Sequence, residues 1–240
     1  MKMPGRKIAL LTGFLLVLGI VLMKAFDLRE DYIIREFNKI YYASERHRET
    51  YWVGISSYQN PCDNWVMQEI IAEVKPDFII ESGTALGATT LFYATVLQQV
   101  NDRGKVLTID IRPDFEEAAK FKIWQERVEP ITGNSVSPEV VERVSERTRG
   151  GKILITLDSD HRKEHVLKEL QLYARLVSLG SYIVVQDTNV HGHPVMPKLG
   201  EGPYEAVQEF LKTNKDFVID HSKEKFLLTW YPSGFLKRVK

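Results

Sequence analysis

Downstream of residue 76, short apolar runs alternate with stretches whose apolar residues recur at helical spacing. The runs at 78–81, 105–110, 128–132, 152–158 and 181–187 are rich in Ile, Val and Leu and predict buried strands. Between them, 89–100, 115–122, 138–147 and 163–177 predict helices. Strands separated by helices of this length predict a parallel sheet covered on both faces. The end of the chain breaks the alternation. A helix at 204–213 precedes two strands, 217–221 and 225–230, joined too tightly to run parallel. The predicted fold class is α/β: a doubly wound Rossmann-like sheet, mostly parallel with an antiparallel last strand, preceded by N-terminal helices.

Upstream, residues 27–49 place Tyr32, Ile33, Phe37, Ile40 and Tyr41 at roughly helical spacing among charges, the pattern of an amphipathic helix. Residues 52–64 read as a loop and 65–74 as a helix turning Val66, Ile70 and Ile71 inward. Residues 8–23 are uncharged and mostly Leu, Ile and Val. As a helix they would span about 24 Å, short of the ~30 Å hydrocarbon core. The expected organisation is an anchor segment at 1–26, attached to a membrane through 8–23, and one domain at 27–240. The basic flank of Lys2, Arg6 and Lys7 by itself favours a cytoplasmic N-terminus with the domain outside.

Composition narrows the function. Of 240 residues, 32 are Lys or Arg and 32 are Asp or Glu, so the basic excess of a nucleic-acid binder is absent. The single Cys62 excludes an internal disulfide and a cysteine-based zinc cluster. Oligomeric state is left open, a homo-oligomer included.

Four predicted strands end in acids, Glu81, Asp110, Asp158 and Asp187. They fall at the carboxyl edge, where open α/β sheets bind ligands. After the first strand, Glu81-Ser-Gly-Thr-Ala-Leu-Gly87 offers two glycines for close backbone approach and a helix N-terminus facing the same place. Glu81 and Asp110 suit ribose hydroxyls, and Gly133-Asn134-Ser135 forms a turn able to meet a base. Asp158-Ser-Asp-His161 and Gln186-Asp187 bring oxygen ligands suited to a hard divalent cation. His161 is a candidate general base, with Asp160 as its alternative. His161 and His165 also stand at zinc-ligand spacing, but without the His-Glu-x-x-His pattern. The segment from Val190-His-Gly-His-Pro194 to Gly200-Glu-Gly-Pro203 reads as a mobile flap over the substrate.

Together Glu81 to Gly87, Leu157-Asp-Ser-Asp-His161 with His165-Val-Leu, Val185-Gln-Asp-Thr-Asn189 and Gly192-His-Pro194 resemble the cephalosporin hydroxylase/rhamnosyl O-methyltransferase family, over residues 50–240. The resemblance implies an S-adenosylmethionine-dependent methyltransferase sheet. It implies cofactor contacts at Glu81, Gly83, Thr84, Gly87, Asp110, Asn134, Ser135 and Asp158. By similarity to catechol-type relatives it implies Mg²⁺ on Asp158 and Asp187, with Gln186 a neutral, weaker ligand where an acid is usual. The expected reaction is methyl transfer to a hydroxyl of a sugar, glycolipid or secondary metabolite. A cofactor made in the cytoplasm then places the domain on that side of the membrane. The competing readings are an iron oxygenase using His161, His165 and Asp158, and a non-catalytic protein of the same fold.

Overall fold

The computed structural model describes residues 28–240. The apolar run at 8–23, and with it the expected membrane attachment, lies outside them. Among the described residues no helix is long and apolar enough to cross a membrane.

Seven strands form the central sheet: β3 (Phe78–Ser82), β4 (Lys105–Asp110), β5 (Val128–Thr132), β6 (Ile153–Leu157), β7 (Tyr182–Val185), β8 (Phe217–Ile219) and β9 (Phe235–Arg238). Their spatial order is β5-β4-β3-β6-β7-β9-β8. β3 to β7 pair in parallel, and β9 runs antiparallel between β7 and β8. The chain starts in the middle of the sheet, builds one edge and returns to build the other. The topological switch therefore falls between β3 and β6, where a ligand crevice opens at the carboxyl ends.

Each side of the sheet has its own apolar layer. α2 (Pro61–Val74), α3 (Ala88–Val100) and α5 (Lys122–Arg127) cover one face. There Ile79, Val106, Leu154 and Val184 meet Met67, Leu91 and Leu97. α6 (Pro138–Arg147), α7 (Lys163–Tyr173) and α8 (Pro203–Thr213) cover the other, with Ile80, Leu107, Ile155 and Ile183 beneath them. Alternation along the buried strands β3, β4, β6 and β7 sends successive residues to opposite layers.

Four expectations are corrected. The loop at 52–64 contains a hairpin, β1 (Tyr51–Trp52) with β2 (Ile55–Ser56). α2 starts four residues early, because Asn60 accepts from Cys62 N and Pro61 occupies the first turn. The helix at 115–122 is two short ones, α4 (Glu116–Ala119) and α5. The last strand is Phe235–Arg238, not 225–230. Phe226, Leu227 and Leu228 form an apolar run, but Phe226 and Leu227 are exposed. Trp230 N and Thr229 Oγ1 are both drawn to the buried carboxylate of Asp63, at 2.8 and 2.5 Å.

The N-terminal helix α1 runs over 28–43. It turns Asn38 inward, where Asn38 Nδ2 donates to Thr229 O and Oδ1 accepts from Asn189 Nδ2, both at 3.3 Å. Tyr32, Ile33, Phe37 and Ile40 point outward. Its last residues, Tyr41 and Tyr42, pack on Trp230.

Candidate active site

At the switch point the ends of β3, β4, β5 and β6 enclose a cleft of ≈ 450 Å³, lined among others by Gly83, Asp110, Asn134, Ser135, Asp158 and Asp160. This volume suits a drug-sized ligand. Gly83 makes the crossing possible: at φ +91° a Cβ there would lie 2.0 Å from Asp158 O. Asp110 accepts from the backbone amides of Thr84, Ala85 and Arg112 at 3.1, 3.0 and 2.8 Å. It thus holds the β3 turn and still faces the cleft. Asn134 Oδ1 caps its own turn through Val136 N. Ser135 Oγ meets His165 Nε2 at 3.1 Å.

Three expected cofactor contacts lie off the cleft wall. Glu81 is 1% exposed and shares the face of Ile79, so its carboxyl points under the sheet toward α3. There Oε2 accepts from Thr90 and Thr108 at 2.5 and 2.6 Å. Burial, against the two threonine bonds, pushes it up to about 8, so it is a neutral acid at pH 7. Thr84 is turned the same way, its hydroxyl 2.6 Å from that of Thr108. Gly87 at the start of α3 is a packing glycine, since a Cβ there would meet Ala118 and Trp124 at 2.8 Å.

Beside the cleft, Asp158, His161 and Asp187 each bring a ligand atom to within 4.8 Å of the others. His161 Nε2 lies 3.4 Å from Asp158 Oδ1 and 3.6 Å from Asp187 Oδ2. Burial opposes charge on His161, but the Asp158 contact and the charges of Asp187, Asp158 and Asp160 prevail and push it up to about 9. Burial raises Asp187 to about 6, with His161 opposing and Asp158 reinforcing the rise. Asp187 takes a left-handed φ of 52°. Two carboxylates gathered at the ends of adjacent strands are a fit donor set for a hard cation.

Gln186 is not among them. It follows the face of Val184, opposite to Asp187, and is 1% exposed. Its Nε2 donates to Thr156 Oγ1 at 2.6 Å and Tyr93 Oη at 3.2 Å. Its Oε1 accepts from Tyr231 Oη at 2.5 Å and Gln59 Nε2 at 3.0 Å. That is the full complement of a side-chain amide, leaving no lone pair for a metal. The expected ligand is instead part of the support beneath the site. Gln59, which has no motif signature, joins that support to the site: its Nε2 also donates to Asp158 Oδ2 at 3.1 Å.

Asp160, the alternative base, is bound by Arg162 through Nε at 3.0 Å and through Nη2. That hydrogen bond holds it down to about 2. His165 turns away from His161 toward Ser135 and the buried Glu169, so the iron set of two histidines and Asp158 is not assembled. The expected flap is half anchored. His193 Nε2 meets Glu205 Oε1 at 2.5 Å and its ring stacks on Tyr204 at 4.0 Å. Pro194 and Val195 are buried, whereas residues 196–201 are exposed.

A family model described as Rhamnosyl O-methyltransferase/CmcI matches residues 44–239. A rhamnosyl O-methyltransferase of Mycobacterium leprae is 37% identical over 213 residues, 87% of this chain and 91% of its own length. One of Mycobacterium tuberculosis H37Rv is 36% identical over 216 residues, 87% and 86% of the two chains. Among solved structures, CmcI with Mg and SAM aligns at TM-score 0.62 and 16% identity, covering 80% of this chain and 78% of its own. An O-methyltransferase from Bacillus cereus in complex with SAH aligns at TM-score 0.53 and 15% identity, covering 79% and 81%. At these identities the structures speak to the fold, a Rossmann-like methyltransferase sheet.

Proposed function

The chain belongs to the rhamnosyl O-methyltransferase/CmcI family and is an S-adenosylmethionine-dependent O-methyltransferase, and from that premise we propose that it methylates a sugar hydroxyl of a glycoside or glycolipid with a divalent cation, Mg²⁺, at Asp158 and Asp187. The observation that carries this reading is the convergence of Asp158, His161 and Asp187 beside the cleft between β3 and β6. The relatives named rhamnosyl O-methyltransferases support a sugar acceptor. The CmcI structure with Mg and SAM is compatible with the cation.

In this reading Asp110, Asn134 and Ser135 hold the nucleoside end of the cofactor, and Gly83 lets the methionine end pass close to the backbone. S-Adenosylmethionine supplies an electrophilic methyl group. The cation supplies a Lewis acid that lowers the pKa of a bound hydroxyl. Asp158 and Asp187 hold the acceptor end, and alignment of the acceptor oxygen with the methyl group is the main task left to the protein. His161 Nε2 faces both carboxylates, which hold it protonated at neutral pH. Once the carboxylates bound a cation, that proton would lose its support and the neutral ring would take the hydroxyl proton. Asp160, tied to Arg162, serves as a wall between cofactor and acceptor rather than as a base.

The test is incubation of the full chain with S-adenosylmethionine and a rhamnosyl glycoside, with and without chelator. The expected result is a mass gain of one methyl group that chelator suppresses and Mg²⁺ restores. Full turnover in excess chelator would refute the catalytic cation. Membrane attachment through residues 8–23, with the domain facing the cytoplasm, completes the proposal. Digestion of the domain by protease added outside sealed cells would overturn it.

A further inference from the structure

Tyr42 lies in the last turn of α1, two residues ahead of the stretch matched by the family model. Its half-buried ring stacks on His47 at 5.1 Å and meets the edge of Trp230 at 5.5 Å. Two further clefts adjoin the Asp158–His161–Asp187 cluster, one of them sharing Asp160 and Arg162 with the cofactor cleft, and Tyr42 is a wall of both. One, of ≈ 290 Å³, is bounded by Tyr42, Tyr58, Trp230 and Asp187, with Arg48 at its rim. The other, of ≈ 460 Å³, is bounded on one part by Tyr42, His161 and the Asp160–Arg162 ion pair and on another by Val190, His191, Met196 and Leu199.

The two differ in chemistry. Flat aromatic faces beside a carboxylate suit a pyranose ring, whose C–H face packs on the rings while a hydroxyl reaches Asp187. The smaller cleft has room for one such ring and no more. Apart from the Asp160–Arg162 pair, the larger cleft is lined by buried Val190 and by Met196 and Leu199, which are 44% and 53% exposed. Apolar side chains left in water at a cleft mouth favour an apolar occupant. The cluster adjoins the first cleft through Asp187 and the second through His161. A single acceptor can therefore occupy both with its reacting hydroxyl between them.

Resting on the acceptor reading above, we infer that Tyr42 divides the acceptor site into two lobes. One takes a single pyranose ring between Tyr42, Tyr58 and Trp230. The other takes the apolar aglycone of the same glycoside along Val190, Met196 and Leu199. Acceptor choice in this chain is thus set in part by a residue of the N-terminal helix.

The test uses the full chain with methyl and octyl α-L-rhamnopyranoside as probes. Binding is followed by saturation-transfer NMR with S-adenosylhomocysteine present, and turnover with S-adenosylmethionine. The octyl glycoside is expected to show a KM lower than the methyl glycoside by about tenfold or more, as burial of an alkyl chain dictates. Replacing the exposed pair Met196→Ser and Leu199→Ser, which carries little risk to folding, should shrink that advantage below about threefold. Tyr42→Ala should raise KM for both glycosides by about tenfold while cofactor affinity holds, and Tyr42→Phe, which keeps the ring, should restore it. Equal KM for the two probes in the parent chain, or unchanged KM in Tyr42→Ala, would overturn the two lobes while leaving methyl transfer standing. Saturation transfer to ring and octyl protons without methylation would keep the lobes and overturn the acceptor reading.

Discussion

Gln59 Nε2 lies 3.1 Å from Asp158 Oδ2, across 99 residues of chain, and the same nitrogen is 3.0 Å from Gln186 Oε1. Tyr231 Oη sits between the side-chain oxygens of both glutamines and gives its single proton to one of them at a time. One oxygen of Asp158 is thereby fixed against a buried polar layer, while the other faces His161 and Asp187. The site's geometry rests on residues that never touch a ligand.

Gln59→Ala should therefore weaken Mg²⁺ binding more than cofactor binding. A buried hydrogen bond to a charged group is worth about 1.5–3 kcal/mol, roughly tenfold or more in affinity. Titration of Mg²⁺ and of S-adenosylhomocysteine into the same variant separates the two effects. Equal losses for both ligands would mean that Gln59 supports the fold alone.

Gln186→Glu looks from the sequence like the addition of a charged ligand. The structure predicts the opposite outcome. A carboxylate has no N–H to give Thr156 and Tyr93, and its charge would be buried beside Asp158. The variant should lose on the order of 2 kcal/mol or more of stability and gain no Mg²⁺ affinity. Denaturant unfolding and metal titration check the two halves of that statement.

Asp110→Ala removes an acceptor for three backbone amides together with a cleft-wall carboxylate. Cofactor affinity should fall by about tenfold or more. Calorimetry showing unchanged affinity would remove Asp110 from the cofactor site.

Stability should fall with rising pH through the neutral range. Glu81 has its pKa raised to about 8 in the fold, above its ordinary value of 4.5, and buried Asp63 is raised to about 7. Between the unfolded and folded values the native state holds more protons than the unfolded chain, so each rise in pH favours unfolding. From about pH 5 to pH 8 the loss should be on the order of a few kcal/mol. Glu81→Gln, which keeps the threonine contacts without a titrating proton, should flatten that slope in urea melts taken across the range. An unaltered slope would show that Glu81 ionises freely.

Gly83→Ala places a methyl group on Asp158 O at a left-handed φ. The β3 and β6 tips must then part, and the expected cost is about 3 kcal/mol or more. Thermal melting in the absence of ligand measures it without reference to activity.

The apolar runs determined the order of elements and the parallel sheet, because strands buried on both faces must be continuously apolar whatever their partners. Acids at strand ends determined the ligand edge for the same local reason: the chain leaves the core there. Sequence spacing could not decide which acids face the ligand. Glu81 and Asp158 look alike along the chain, yet Glu81 is carried under the sheet by the parity it shares with Ile79, while Gly83 lets the β3 turn reach the backbone of Asp158. Gln186 and Asp187 are neighbours that a two-residue period sends to opposite faces, so one supports and the other lines the site. The last strand was misplaced because Asp63, far away in the chain, claims Thr229 and Trp230. Gln59 and Tyr42 carry no local signal at all. Their roles exist only once the N-terminal segments fold back across the strand ends, and a contact made across more than a hundred residues leaves no periodicity to read.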